Sequence, residues 1–317
     1  MISSLSHLTR LARTGYVFAR EGVFALVDTR TLPLGARTGI AIARLIERRT
    51  KKDSSGRLAA ALTKLGPTFV KLGQFMATRP DVVGTDIARN LESLQDRMAP
   101  FPQSEAEAVV VTALEKPVNE AYASFGPSVA AASVAQVHKA EIEKDGGRRP
   151  VAVKILRPGI ARRFAADLDS FFFAARTAEA LSTEAQRLRP VEAVATLARS
   201  MAIEMDFRLE AAAASEMADN TKDDAEFRVP TVDWDRTARE VLTLEWIDGT
   251  PLNDRAALEA RGLDLPALGR NVIQSFLRHA LRDGFFHADM HPGNLFVDAD
   301  GRLVAVDFGI MGRLGQK

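Results

Sequence analysis

An acid, an amide five residues later and a second acid thirteen residues beyond form the most informative spacing in the chain. They are Asp289 and Asn294 in "FHADMHPGNLFV" (Phe286–Val297) and Asp307 in "DFG" (Asp307–Gly309). Phosphoryl transfer asks a protein mainly for positioning and neutralised charge. The spacing offers Asp289 to orient or deprotonate an acceptor or a water, Asn294 to hold a magnesium ion, and Asp307 to hold the bridging one. Amide and carboxylate oxygens suit Mg2+, a hard cation that keeps several of its waters. The step from Asn294 to Asp307 matches a hairpin that returns the chain to one pocket. Singly each signal is weak, since an Asp in a turn is usually a cap or a surface residue. Their combination carries the reading.

Upstream, Lys154 lies in "VAVKILRP" (Val151–Pro158), a β-branched run whose apolar neighbours face inward. A lysine in such a run is either an exposed edge residue or a phosphate ligand, and the kinase "VAIK" signature places its phosphate-binding lysine in this context. Such a lysine needs a carboxylate to hold it. Glu210 in "EMDFRLEAAAASEM" is the best candidate, the bland alternative being a solvated helix face. Two departures are informative. No G-x-G-x-x-G loop precedes Lys154; "AAASVAQVH", with Ala130, Ala131, Ala132 and Ser133, takes its place. Alanines resist the left-handed angles glycines allow, so nucleotide is expected to sit differently under this loop. Lys154 and Glu210 are also 56 residues apart, which predicts an inserted helix at 161–181. Further ATP-binding candidates are Glu245 and Ile247, in the strand run that ends at Asp248–Gly249.

These residues need elements to position them. Up to about residue 117 the apolar spacing is helical: Leu58, Leu62, Leu65, Phe69, Leu72 and Phe75–Met76 recur three and four apart. Pro67 is expected to start a second segment or kink the first. Ser104 and Glu107 read as a capping box. From Ser128 the texture becomes β, with two runs flanking a turn at Asp145–Gly147. Helix is predicted from Val191 to about Asn220, then strands over "FRVPTVDW" (Phe227–Trp234) and "REVLTLEWI" (Arg239–Ile247). Helices at 253–261 and 266–283 follow, and short strands at 294–298 and 302–306 bracket the "DADG" turn. The expected fold class is α+β: a small antiparallel-sheet lobe feeding a helical lobe, behind an N-terminal helical extension. The expected domains are 1–57, a basic amphipathic segment; 58–117, the helical extension; 118–249, the small lobe with its inserted helix; and 250–317, a partial large lobe.

The 317 residues contain no cysteine, which excludes disulfides and thiolate metal sites. No run of 18 uncharged apolar residues is present. The net charge of +1 hides an asymmetry: residues 1–52 hold ten Lys/Arg against three Asp/Glu. With Phe18, Val23, Phe24, Leu26 and Val27 among its arginines, this segment is read equally as a membrane-surface helix or as a basic helix packed on its own domain, with a cleaved transit peptide as a third option. Basic residues cluster only there, so no nucleic-acid partner is expected.

Six ordered stretches carry a resemblance: "VKLGQ", "AAASVAQVH", "VAVKILRPG", "EMDFRLEA", "HADMHPGN" and "DFGIMGRL". From about residue 58 to the end the chain resembles the UbiB/AarF family of atypical kinase-like ATPases. The resemblance implies a protein-kinase-like two-lobe fold with the extension packed over the cleft, ATP and Mg2+ as cofactors, ATP hydrolysis, and a role in ubiquinone biosynthesis. It further implies, as partners, a membrane surface, an isoprenoid or quinone lipid and other quinone-biosynthesis proteins. The implied place is the cytoplasmic face of a bacterial inner membrane, or the mitochondrion in a eukaryote. By position, Lys71, Gly73 and Gln74 would be the motif of the extension, Glu204 and Asp206 would engage it with Lys71 as a partner, and Glu210 would pair with Lys154. Ala130 to Ser133 would cover the nucleotide. Ala288 stands where many kinases carry an arginine that grips a phosphorylated loop, which predicts no such switch. Ten residues follow Asp307, so the expectation is a large lobe incomplete at its C-terminal end, in a fragment of a longer protein. Two rival readings stay open: a small-molecule phosphotransferase of the aminoglycoside or choline kinase type, favoured by His291 and Pro292, and a nucleotide-switched scaffold that binds lipid or protein.

Overall fold

A computed structural model of the chain describes residues 4–26, 34–48, 54–92, 94 and 98–315. Val27 lies outside the described residues. In chain order the helices before the first strand are α1 (Ser4–Arg20), α2 (Leu34–Leu45), α3 (Ser54–Leu65), α4 (Pro67–Ala77), α5 (Pro80–Val83), α6 (Thr85–Glu92), α7 (Gln103–Leu114) and α8 (Val118–Ala121). Strands β1 (Ser124–Ala131), β2 (Ala135–Lys144) and β3 (Gly147–Leu156) follow, then α9 (Ile160–Leu181), α10 (Thr183–Leu188), α11 (Pro190–Glu204) and α12 (Phe207–Asn220). The remainder is β4 (Phe227–Arg228), β5 (Val241–Glu245), β6 (Thr250–Pro251), α13 (Arg255–Ala260), α14 (Leu265–Arg278), β7 (Phe285–His287), β8 (Leu295–Val297), β9 (Leu303–Ala305) and β10 (Met311–Arg313).

The chain forms two compact units, and neither is one stretch of sequence. The first comprises 1–99, 132–134 and 159–201, the second 100–131, 135–158 and 202–317. These boundaries cross the domain limits expected from sequence: residues 100–117 join the sheet, and most of the insertion after Lys154 joins the N-terminal helices.

The first unit is helical. Pro67 occupies the first turn of α4, where its missing N–H is an orphan anyway, and Gly66 before it takes φ +105°. The core is Leu62, Leu65, Phe69, Leu91 and Leu94, with Val17, Phe18, Leu72 and Phe171 packed on it. Helix α1 is therefore partly a packed element. Its Arg10 pairs with Asp167 at 2.8 Å, and Asp167 also accepts from Thr68 Oγ1 at 2.6 Å. His7 stacks on Phe173. Ile42, Leu45 and Ile46 at the end of α2 stay exposed.

In the second unit, β1, β2, β3 and β5 form an antiparallel sheet in the order β1-β2-β3-β5. Its hairpin β2–β3 turns on Asp145 and Gly146, both left-handed at φ +53° and +75°, which matches the strand twist. One face packs on α7 through Phe101, Ala106, Val110, Ile142, Val151, Val153 and Ile155. A second core gathers Ala214 and Met217 of α12 with Leu268, Phe285, Leu295, Leu303 and Phe308. Here the strand order is β4-β9-β8-β6, with β7 and β10 forming a separate pair.

Three expectations are corrected. The capping box does not form, because α7 begins at Gln103 behind Pro102 and Ser104 falls inside the first turn. The strand expected over Phe227–Trp234 shrinks to Phe227–Arg228, paired parallel with β9; Pro230 has no N–H to extend a ladder. The helix expected from Val191 to Asn220 is two helices, because Asp206 accepts from Arg208 N–H and starts α12 anew. The helix expected at 161–181 stands as α9, but a short helix not expected from sequence, α10, intervenes before α11. No helix of the described residues is long and apolar enough to cross a membrane.

Candidate phosphoryl-transfer site

Strand β3 delivers Lys154. Val151, Val153 and Ile155 are buried in the α7-facing core, so strand alternation turns Lys154 to the opposite face. There its Nζ donates to both carboxylate oxygens of Glu210, at 2.8 and 3.0 Å, and to Asp307 Oδ1 at 3.1 Å. Helix α12 delivers Glu210 in its first turn, one turn after the Asp206 cap, and buries it. The Phe207 ring lies 5.4 Å below the ammonium. The two residues singled out 56 positions apart thus meet directly.

The electrostatics of this triad are unbalanced. Burial pushes the Glu210 carboxyl up to about 7; Lys154 pulls against that and Asp307 adds to it. Burial also opposes the Lys154 charge, but Asp307 and Glu210 outweigh it and hold the ammonium above its ordinary range. One cation facing two carboxylates leaves excess negative potential, which favours a further cation beside Asp307.

The chain reaches Asp289, Asn294 and Asp307 through β7, β8 and β9. His287 is buried at the end of β7, where its Nδ1 accepts from the Asp289 N–H at 3.1 Å and its Nε2 lies 3.4 Å from Val306 O. A 3-10 turn over Pro292–Asn294 then brings Asn294 back, and its Nδ2 donates to the Asp289 carbonyl and carboxylate, each at 3.1 Å. Val306 N–H closes the hairpin on Asn294 O at 2.9 Å. Asp307 itself is left-handed, φ +64°, and its side chain is half exposed. With Nδ2 committed, Asn294 keeps Oδ1 as its acceptor. Asn294 Oδ1 and the Asp307 carboxylate fit Mg2+, being hard oxygens that leave coordination positions for water and phosphate. Among the described residues no cluster of three His, Cys, Asp or Glu could hold a metal alone, so such an ion would depend on this mixed pair.

The other candidates are placed as follows. Ala130 and Ala131 end β1 in the second unit, whereas Ala132 and Ser133 belong to the first. Lys71, Gly73 and Gln74 lie on α4 in the first unit, Glu204 and Asp206 in the second. Gly73 has a local reason: a Cβ there would stand 2.4 Å from Leu94 Cδ1 and 2.7 Å from Leu62 Cδ1. Asp206 also has one, capping α12 and accepting from the Arg208 guanidinium at 2.8 and 2.6 Å. Ile247 is half-buried just after β5. Glu245 ends β5 with its side chain turned from Lys154. It pairs across β3 with Val151, hence on the face away from Lys154, and both its oxygens accept from Arg228 Nη1 at 3.0 Å.

Sequence reasoning missed His287 and Arg228. The histidine stood in the catalytic stretch two residues before Asp289, and only its burial reveals that it props the loop. Arg228 joins Glu245 to Asp298 at 3.0 Å, linking β5 to the end of β8, and no local pattern marks it.

A family model described as the ABC1 atypical kinase-like domain matches residues 93–317. The chain belongs to this family. Among curated relatives, a probable protein kinase UbiB of Marinobacter nauticus is 39% identical over 316 residues, covering 98% of this chain and 57% of the relative. Another probable protein kinase UbiB, from Xylella fastidiosa, is 40% identical over 318 residues, with the same coverages. The chain thus spans little more than half the length of these relatives. The solved structure of Rv3197 with erythromycin, from Mycobacterium tuberculosis, matches with a TM-score of 0.53 and 29% identity, over 89% of this chain and 68% of that one. The fold is kinase-like, in the α+β class expected from sequence.

Proposed function

We propose that the protein binds ATP with Mg2+ and cleaves its γ-phosphoryl group, and that it supports ubiquinone biosynthesis at a membrane. The observation that carries this reading is Lys154, held by Glu210 within 3.1 Å of the Asp307 carboxylate. Lys154 would bind phosphate oxygens, and Glu210 fixes where its ammonium points. Mg2+ held by Asn294 and Asp307 would supply charge neutralisation at the phosphates. Asp289, its carboxylate oriented by Asn294 Nδ2, would accept a proton from the attacking hydroxyl or water. His287 keeps the Asp289 main chain in place. The names of the UbiB relatives support the quinone role, and the exposed Ile42, Leu45 and Ile46 in the basic N-terminal region support a membrane surface as partner.

The test is Mg2+-dependent nucleotide binding and phosphate release, with and without anionic liposomes, for the chain and for Asp307→Asn. Turnover that rises with liposomes and collapses in the variant is the expected result. Turnover that instead requires one soluble acceptor identifies a small-molecule phosphotransferase. Nucleotide binding with no phosphate released under any condition identifies a scaffold.

A further inference from the structure

A groove of about 360 Å³ opens on the second unit, on the side of the sheet turned away from Lys154. Its floor is Ile142 of β2 and Val151 of β3, both buried members of the α7-facing core, and its far wall includes Val232. Because Val151 and Lys154 are three positions apart on one strand, their side chains leave opposite faces of the sheet. The groove and the phosphoryl-transfer residues are therefore separated by the thickness of β3. Trp246 also borders it, but its indole is turned to the Lys154 face, where the Lys139 ammonium stands 4.6 Å from the centre of its ring. A concave, largely apolar site of this volume with a few polar groups at its edge is the usual form of a small-molecule pocket.

Charge selects the class of ligand. Two carboxylates line the groove, Glu245 and Asp233, and both are already neutralised: Glu245 by Arg228 at 3.0 Å and Asp233 by Arg236 at 3.1 Å. The cations differ. Arg149 shares only an exposed pair with Asp145, and the Lys144 ammonium has no ion-pair partner among the described residues. The unsatisfied charge at the mouth is positive, above an apolar floor. We propose that this groove is a second small-molecule site, for an apolar molecule carrying one anionic group. Such a ligand would lie its apolar body along Ile142, Val151 and Val232 and place its anion between Lys144 and Arg149. It would bind together with nucleotide, from behind the same strand.

The probe is 2-naphthoate, titrated calorimetrically into the whole chain, with 2-naphthalenemethanol as the uncharged control. Saturable binding is expected, weakened about tenfold by Lys144→Glu or Arg149→Glu, the scale of one lost charge-assisted contact. Both residues are exposed, so these variants keep the fold; Val232→Trp, which fills the groove, abolishes binding. Added Mg2+ and ADP leave the naphthoate affinity unchanged. No saturable binding at millimolar probe overturns the proposal, as does equal affinity for the uncharged control. Charge variants that titrate like the unmodified chain overturn it as well. Displacement by ADP also overturns it, since the probe would then sit in the nucleotide site. None of these readouts depends on phosphoryl transfer.

Discussion

Single residues carry both the chemistry and its cost. Asp307 holds a left-handed backbone, φ +64°, which glycine adopts freely and other residues adopt at a penalty. Asp307→Gly is expected to be about 1 kcal/mol more stable than Asp307→Ala in chemical denaturation, and both lose Mg2+-dependent nucleotide binding. Equal stabilities would show that the backbone there is unstrained. His138 gives a second prediction. Its Nδ1 lies 2.9 Å from Gly126 O and its Nε2 2.8 Å from Gln136 Nε2, a pairing only the neutral ring satisfies. Burial lowers its pKa below the ordinary 6.5, against weak opposing pulls from the Gly126 carbonyl and Glu107. The sign follows directly: a folded state that refuses the proton keeps its full stability above pH 6.5 and loses it as pH falls below that value. NMR titration of the ring should find His138 neutral below pH 6.5, with the urea midpoint falling over the same range. A ring that titrates at or above 6.5 contradicts this.

Elements were legible where local rules and tertiary packing agree. The lysine strand, the Asp145–Gly146 turn, the Pro67 helix start and the hairpin between Asn294 and Asp307 all carry strong local chemistry, and they stand where the sequence put them. The break at Met205–Asp206 was not legible, because no Gly or Pro marks it and a cap inside an apolar run reads as continuous helix. The Arg228 partner of Glu245 was not legible for a related reason: sequence places a residue on a strand but does not say which face meets which neighbour. Gly73 was singled out only through the resemblance, and its close packing appears only in three dimensions. Two effects compete there. Gly73→Ala gains up to about 1 kcal/mol of helix propensity and must push two leucine methyls aside, so near-neutral stability is expected. Gly73→Leu adds volume with no such offset and should cost about 1–3 kcal/mol. Thermal melts of both variants check this, and a Leu variant as stable as the parent would refute the packing account.

At the scale of the molecule, the triad and the catalytic hairpin all belong to the second unit, although Lys154 and Asp307 are 153 residues apart. Nucleotide with Mg2+ should therefore slow hydrogen exchange in β3, the first turn of α12 and residues 287–309. Binding at 100 times the dissociation constant adds about 2.7 kcal/mol to the unit that binds. Protection confined to α1–α6 would place the nucleotide elsewhere. The discontinuity of both units has a further consequence for biogenesis. On a ribosome, residues 1–99 emerge first, yet α9–α11, which belong to the same unit, follow only after the whole of β1–β3 has been made. The usual advantage of vectorial synthesis, one domain finished before the next begins, is denied to this chain. Its first helices must wait, unfinished and in need of shielding, until residue 201 has cleared the exit tunnel.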